Sequence, residues 1–329
     1  MSDTIRVVDM HCDTISAILA ERRRGKDCRL RRNKLHIDLE RMQQSGYLLQ
    51  NFALFVNREK CRSPWEEFCT LYEVYQGELE ENGDILAPVL TFSDIEKNRC
   101  SGKMSSLLTV EEGAVCEGEI GKLEQLYSRG VRMLTLTWNY PNELGYPNVR
   151  PGMHFKPDTE HGLTSKGMEF VERMEELGMI VDVSHLSDAG FYDVLKTTKK
   201  PFVASHSDAR EVCGWVRNLT DDMIRKLADR GGCMGLNFCA DFLKTVPEGM
   251  KNPGTIEAVV RHAGHIVKVG GIEVLGLGTD FDGIDTHEEL PGAQSMERLW
   301  NGLHRAGFSE SQLEKIYHEN VLRVYKDVL

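Results

Sequence analysis

Residues 7–14 read V-V-D-M-H-C-D-T. A short apolar run leads into His11 and Asp13, which are separated by a single residue. In an extended segment, side chains two apart project to the same side, so this pair predicts two ligands aimed at one point past a strand end. The pattern recurs along the chain. L-L-T-V-E-E-G (107–113) carries Glu111, I-V-D-V-S-H (180–185) ends on His185, F-V-A-S-H-S (202–207) carries His206, and L-G-L-G-T-D-F-D-G (275–283) carries Asp280. A fold that collects strand ends on one face would bring all of these groups together, and the parallel barrel is that fold.

Eight short apolar runs support it: 6–10, 51–56, 106–111, 132–137, 179–184, 201–205, 233–238 and 274–279. Several are almost continuously apolar, as expected for strands buried on both faces of a parallel sheet. Helical segments lie between them. Ser63-Pro64-Trp65-Glu66 reads as an N-cap, a first-turn proline and a capping box, followed by Trp65, Phe68, Tyr72, Tyr75 and Leu79 at helical spacing. That aromatic stripe predicts core packing. Thr164 or Ser165, Ser187 and Thr220 open three more helices. The alternation predicts one (β/α)8 barrel, a TIM-barrel catalytic domain of the metal-dependent hydrolase type, over residues 1–329. An open doubly wound sheet is the competing architecture. The Pro- and Gly-rich segment 138–162, including Pro151 and Gly152, predicts a lid or rim over the barrel mouth.

A net charge of -11 argues against nucleic acid or an anionic membrane as the main partner. The one basic cluster, Arg22, Arg23, Arg24 and Lys26 to Arg32, reads as a solvated loop. No signal-peptide pattern opens the chain and no run is long enough to span a bilayer. The nine cysteines are scattered without a C-x-x-C, which predicts reduced thiols and a cytoplasmic protein. Cys12 is expected to point away from its ligand neighbours and pack.

The chemistry follows from the donor types. Imidazoles and carboxylates without thiolate suit Zn²⁺, with Mn²⁺, Co²⁺ or Fe²⁺ as alternatives. His11 with Asp13 can chelate one ion, His185 with His206 a second, and a carboxylate at Glu111 or Glu112 can bridge. Two ions about 3.5–4 Å apart activate a water held between them and polarise a carbonyl. Asp280 is then placed to carry a proton to a leaving amine. Asp282 falls on the same side as Asp280 if the segment stays extended. His36-Ile37-Asp38 also fits H-x-D, but Asp38 is better read as the cap of a helix over 39–44. No G-x-S-x-G, P-loop, H-E-x-x-H or G-x-G-x-x-G is present.

In these segments, and in R-M-L-T-L-T-W-N, S-H-S-D-A-R and the ending H-E-N-V-L-R-V-Y, the chain resembles the membrane (renal) dipeptidase family, the M19 metallopeptidases, over its whole length. The resemblance implies two zinc ions per chain, held by His11 and Asp13 and by His185 and His206, with Glu111 bridging and Asp280 as acid/base. It implies a dipeptide substrate, tolerance of a D-residue at the C-terminal position, and the family's habit of forming homodimers. Arg217 in W-V-R-N matches an arginine that binds the substrate carboxylate, with Arg210 as the alternative. The sequence departs from the animal members at Trp138, where they carry a substrate-contacting histidine; Asn139 is the candidate to make that contact instead. Animal members are also secreted and lipid-anchored, which this sequence does not predict for itself.

The sequence admits two rival functions. One is a barrel amidohydrolase acting on a cyclic amide, lactone or phosphoester; such enzymes favour H-x-H on the first strand and a lysine on the fourth, and neither is found here. The other is a non-catalytic barrel that binds peptide or metal.

Overall fold

The structure is a computed structural model that describes residues 5–149, 155–247, 249–285 and 287–329. Its strands are β1 (Val7–Asp9), β2 (Tyr47–Phe55), β3 (Leu86–Pro88), β4 (Met104–Glu111), β5 (Val131–Thr135), β6 (Ile180–Asp182), β7 (Val203–Ala204), β8 (Cys233–Leu236) and β9 (Leu275–Leu277). All pair in parallel. The β2–β4 ladder and the β1–β9 pair close eight of them into a barrel in the order β1-β2-β4-β5-β6-β7-β8-β9. This is the (β/α)8 architecture, and closure excludes the open sheet.

One strand escapes the sequence pattern. β3 pairs with the first residues of β4, Met104 to Ser106, before β5 takes over that edge at Leu108. Three residues ending in proline carry no alternation, which is why the apolar count stops at eight. The hydrogen-bonded strands are also shorter than several apolar runs. β6 stops at Asp182 and the chain reaches His185 at φ 71°, so the residues past the strand turn towards the barrel mouth.

The barrel interior explains the apolar runs. Val8, Leu49, Leu107, Met133, Ile180, Val203 and Cys233 form one buried cluster with Val321, Val324, Tyr325 and Val328 of the C-terminal helix Asn320–Val328. That helix plugs the barrel floor, and the Tyr325 hydroxyl accepts a 2.7 Å bond from Asn51 Nδ2 inside it. Around the outside, the expected caps are in place. Ser63 Oγ accepts from Glu66 N–H at the start of Pro64–Glu81, whose Phe68 and Tyr75 are buried. Thr164, Ser187 and Thr220 cap their helices through the third N–H, Gly178 closes Ser165–Leu177 in the left-handed region, and Asp38 caps Leu39–Gln44. The basic cluster pairs with acids: Arg22 with Glu78, Arg23 with Glu67 at 2.7 Å, Arg29 with Glu81 at 2.9 Å and Arg31 with Asp84 at 2.8 Å. No helix among the described residues is long and apolar enough to cross a membrane.

His262, on the helix Ile256–Gly270, braces the mouth. Its Nδ1 accepts from Ala209 N–H at 3.1 Å and its other nitrogen donates to the Leu243 carbonyl at 3.0 Å. Burial holds it neutral and pushes its pKa down to about 4. The unfolded chain takes up that proton near 6.5, so the stability His262 contributes is complete above about 6.5 and is lost as pH falls toward 4. The loss amounts to about 3 kcal/mol. A thermal melt series should therefore show His262→Gln least stable, relative to the native chain, at pH 7.5, with the gap closing by pH 4.5. A gap that is constant with pH contradicts this.

Candidate metal centre

Six polar side chains converge at the C-terminal mouth of the barrel, and all six residues are buried. His11 Nε2 lies 3.3 Å from Asp13 Oδ2, 3.4 Å from Glu111 Oε2 and 3.9 Å from Asp280 Oδ1. Glu111 turns its other oxygen the opposite way: Oε1 is 2.9 Å from His185 Nε2 and 3.7 Å from His206 Nε2. His185 Nε2 and His206 Nε2 face each other at 3.0 Å. One carboxylate thus presents an oxygen to each of two imidazole-bearing groups.

Polar collars fix these donors. His185 Nδ1 is 2.9 Å from Asn139 Oδ1, and His206 Nδ1 is 2.7 Å from Ser205 Oγ, which itself donates to Asp182 Oδ2 at 2.6 Å. With protons on both Nδ1 atoms, both Nε2 lone pairs are free to point into the cluster, as metal-binding histidines require. Asp182 also accepts from Ser184 N–H, Ser205 N–H and Thr135 Oγ1. Asp9 does the same between β1 and β9, accepting from Thr279 N–H at 2.9 Å and Thr279 Oγ1 at 2.7 Å. Asp9 and Asp182 are buried carboxylates that the sequence reading passed over. Their signal is a D two residues ahead of His11 and three ahead of His185, in V-V-D-M-H and I-V-D-V-S-H.

The backbone is bent to the task. Of the five described non-glycine residues with positive φ, His185, Asp280, Glu112 and Asp282 lie in or beside the cluster. Such conformations cost about 1–3 kcal/mol each and gather at functional sites. Asp282 accordingly does not continue an extended strand past Asp280. Its carboxylate accepts from Thr14 Oγ1 and His36 N–H, both at 2.7 Å, and holds the first loop against the last. Gly283 packs so closely that a side chain there would collide with Asp13 and Asp280. Glu112 points away from Glu111, accepting from Ala114 N–H at 2.9 Å, Trp138 N–H at 3.2 Å and Asn142 Nδ2 at 2.5 Å. It therefore anchors the start of the long loop and turns its carboxylate away from the cluster. Pro151 and Gly152 of that loop lie outside the described residues, while its Asn148 bonds Asp188 Oδ1 and the Val216 carbonyl.

The two candidate arginines separate. Arg210 is spent on a bidentate pair with Asp188, at 2.7 and 2.8 Å. Arg217 has no carboxylate pair among the described residues; it reaches only Ser207 Oγ at 3.3 Å and the His206 carbonyl at 3.2 Å, over the Phe242 ring. Trp138 is half-buried, with its ring 6.1 Å from His185 and 4.8 Å from Phe55. Cys12 is fully buried and bonds the Asn51 carbonyl, as its packing role requires.

The donors fit a metal. Bonds of about 2.0–2.1 Å in tetrahedral geometry put neighbouring donors about 3.3 Å apart, close to the spacings seen here. Burial pushes Glu111 up to about 8, with Asp13 beside it adding to the rise, and pushes Asp280 up to about 6. Burial also holds His185 and His206 well below the usual imidazole range, so both are neutral donors. A cage of imidazoles and crowded carboxylates at the mouth of a (β/α)8 barrel defines a metal-dependent hydrolase.

Comparison with known proteins gives the family. The sequence pattern of the membrane dipeptidases (peptidase family M19) matches residues 1–329. An uncharacterized Klebsiella pneumoniae protein in the pqqA 5' region is 32% identical over 265 residues, 80% of this chain and 95% of that protein. An uncharacterized dipeptidase of Schizosaccharomyces pombe is 32% identical over 311 residues, 88% of this chain and 72% of the other. The crystal structure of a metallopeptidase from Rhodobacter sphaeroides, bound to a phosphinate mimic of the dipeptide L-Ala-D-Ala, superposes with a TM-score of 0.90 at 25% identity, covering 99% of this chain and 100% of that one. The chain belongs to the membrane dipeptidase family, peptidase family M19, and is a metal-dependent hydrolase of dipeptidase type.

Proposed function

We propose that the whole chain acts as one catalytic domain, a dizinc dipeptidase that hydrolyses the single peptide bond of X–Y dipeptides and accepts a D-residue at Y. The observation that carries this reading is Glu111, whose two oxygens face different histidines, 3.4 Å from His11 Nε2 and 2.9 Å from His185 Nε2. His11 and Asp13 would hold one zinc, His185 and His206 the other, with Glu111 shared. Bound there, zinc supplies Lewis acidity and lowers the pKa of a coordinated water toward about 7. The stereochemical tolerance is supported by the L-Ala-D-Ala mimic in the Rhodobacter relative. Nine unpaired thiols favour a reducing, cytoplasmic setting.

The protein's own residues do the rest. Asp280 holds a proton on the carboxylate oxygen nearest His11 and passes it to the departing nitrogen. Arg217, buried without a carboxylate pair among the described residues, receives the substrate's C-terminal carboxylate through two parallel N–H bonds. Across the mouth from it, on the β2–β5 side, Trp138 with Phe55 and Tyr140 forms an apolar wall against the N-terminal side chain. Asn139 meets the substrate side only through its amide nitrogen, because its oxygen faces His185.

Release of free amino acids from a panel of L,L- and L,D-dipeptides tests the activity, and absence of turnover on every member contradicts it. Arg217→Lys tests the carboxylate assignment. The variant should raise KM about 100-fold, near 3 kcal/mol, for the loss of charge-assisted bonds. Dipeptide amides, which lack that carboxylate, should show the same weak KM with the native chain and the variant. A variant that weakens acid and amide equally would remove Arg217 from this role.

A further inference from the structure

We infer that Asn237, which no motif reading singles out, is a positioning residue that decides which oxygen of Asp280 carries the proton. The inference rests on the acid/base reading of Asp280. Asn237 follows β8, between the strand that delivers His206 and the one that delivers Asp280, and is fully buried. Its Nδ2 donates to Asp280 Oδ2 at 2.9 Å and lies 3.2 Å from the His206 carbonyl. Its Oδ1 accepts from Cys239 N–H at 2.6 Å, and its own backbone N–H donates to Asp208 Oδ1 at 3.2 Å.

These partners remove the usual freedom of an amide. Turning the side chain over would set Oδ1 against Asp280 Oδ2 and the His206 carbonyl, three acceptors together, and would leave Cys239 N–H facing a donor. The amide therefore offers only N–H to Asp280. Oδ2 must accept, so a proton on Asp280 sits on Oδ1, the oxygen 3.9 Å from His11 Nε2. The close approach of three strand ends makes this reach possible. Gly235 and Gly278 both press against the Ser205 carbonyl, where a side chain at either position would collide.

The consequence is directional. The proton that Asp280 takes from the attacking water resides on Oδ1. It moves to the leaving nitrogen as the C–N bond breaks and its electron pair passes to nitrogen, while the water oxygen stays on the acyl carbon. Without Asn237 the carboxyl can rotate, and the proton faces the substrate only part of the time.

The test compares Asn237→Ala and Asn237→Ser on two substrates with identical side chains: a dipeptide, and its thioester analogue with sulfur in place of the peptide nitrogen. A thiolate, with a conjugate-acid pKa near 8.5, leaves without being protonated. For the dipeptide, kcat should fall about 10–100-fold, the usual range for a residue that orients a site group, with KM and metal content unchanged. On the thioester the same variants should lose less than about 3-fold, because no proton delivery is needed there. Both substrates are measured on one sample, so partial unfolding of a variant cancels from the ratio. Equal losses on the two substrates overturn the inference. Asp280→Asn serves as the reference: the thioester still needs a base for the attacking water, so this variant should lose activity on both substrates; if it loses none on the dipeptide, the acid/base reading fails; if it loses that activity and the Asn237 variants show no amide-selective loss, only the role of Asn237 fails.

Discussion

Asp280→Asn should lower kcat for dipeptides about 1000-fold, within the range that a positioned acid/base supplies, while leaving KM within about 3-fold. The substitution is nearly isosteric, and the backbone supports it. Asp280 sits at φ 61°, a region that asparagine tolerates as readily as aspartate, so the variant should fold normally. Its amide oxygen can still accept from Asn237 Nδ2, which keeps the local network closed. Metal content separates the two roles open to this residue. His11, Asp13 and Asp280 form one group able to hold a cation, with Asp280 Oδ1 3.9 Å from His11 Nε2. If Asp280 moves protons, the variant keeps its full complement of metal and loses turnover. If metal falls together with activity, Asp280 is a ligand and the acid/base assignment is wrong.

Glu111→Ala should have the larger effect. Glu111 places one oxygen 3.4 Å from His11 Nε2 and the other 2.9 Å from His185 Nε2, so its loss removes an oxygen donor from each half of the cage. Losing metal-based charge stabilisation worth several kcal/mol corresponds to a fall of about 10⁴-fold or more. Elemental analysis should show fewer than two ions per chain. A distinction from the neighbouring acid follows. Glu112→Ala leaves the cage untouched but frees three N–H donors at the start of the long loop, so it should cost stability while leaving metal stoichiometry intact. Metal loss in the Glu112 variant and retention in the Glu111 variant would reverse the assignment of the two.

The cage was legible in the sequence because each donor sits directly past an apolar run, and a parallel barrel delivers all such positions to one face. The same logic recovered the helix caps, since Ser63, Thr164, Ser187, Thr220 and Asp38 each act through a local bond set by spacing. What stayed hidden depends on non-local or backbone information. β3 has too few residues to show a period. The displacement of Asp282 comes from positive φ at both Asp280 and Asp282, which an apolar pattern does not encode. Asp9, Asp182 and Asn237 lie within or just after apolar runs and act on neighbouring strands, so their roles appear only once β1 lies beside β9, β6 beside β7, and β8 beside β9. The resemblance points to Arg217 with Arg210 as the alternative, and the bidentate pair of Arg210 with Asp188 is what separates the two in the structure.

Metal titration of the stripped protein, followed by dipeptide hydrolysis on the same samples, tests the central claim most directly. A two-ion cage bridged by Glu111 predicts no turnover in the metal-free protein and activity that rises to a plateau at two zinc ions per chain. Full activity at one ion per chain, or turnover that survives thorough metal removal, would contradict it.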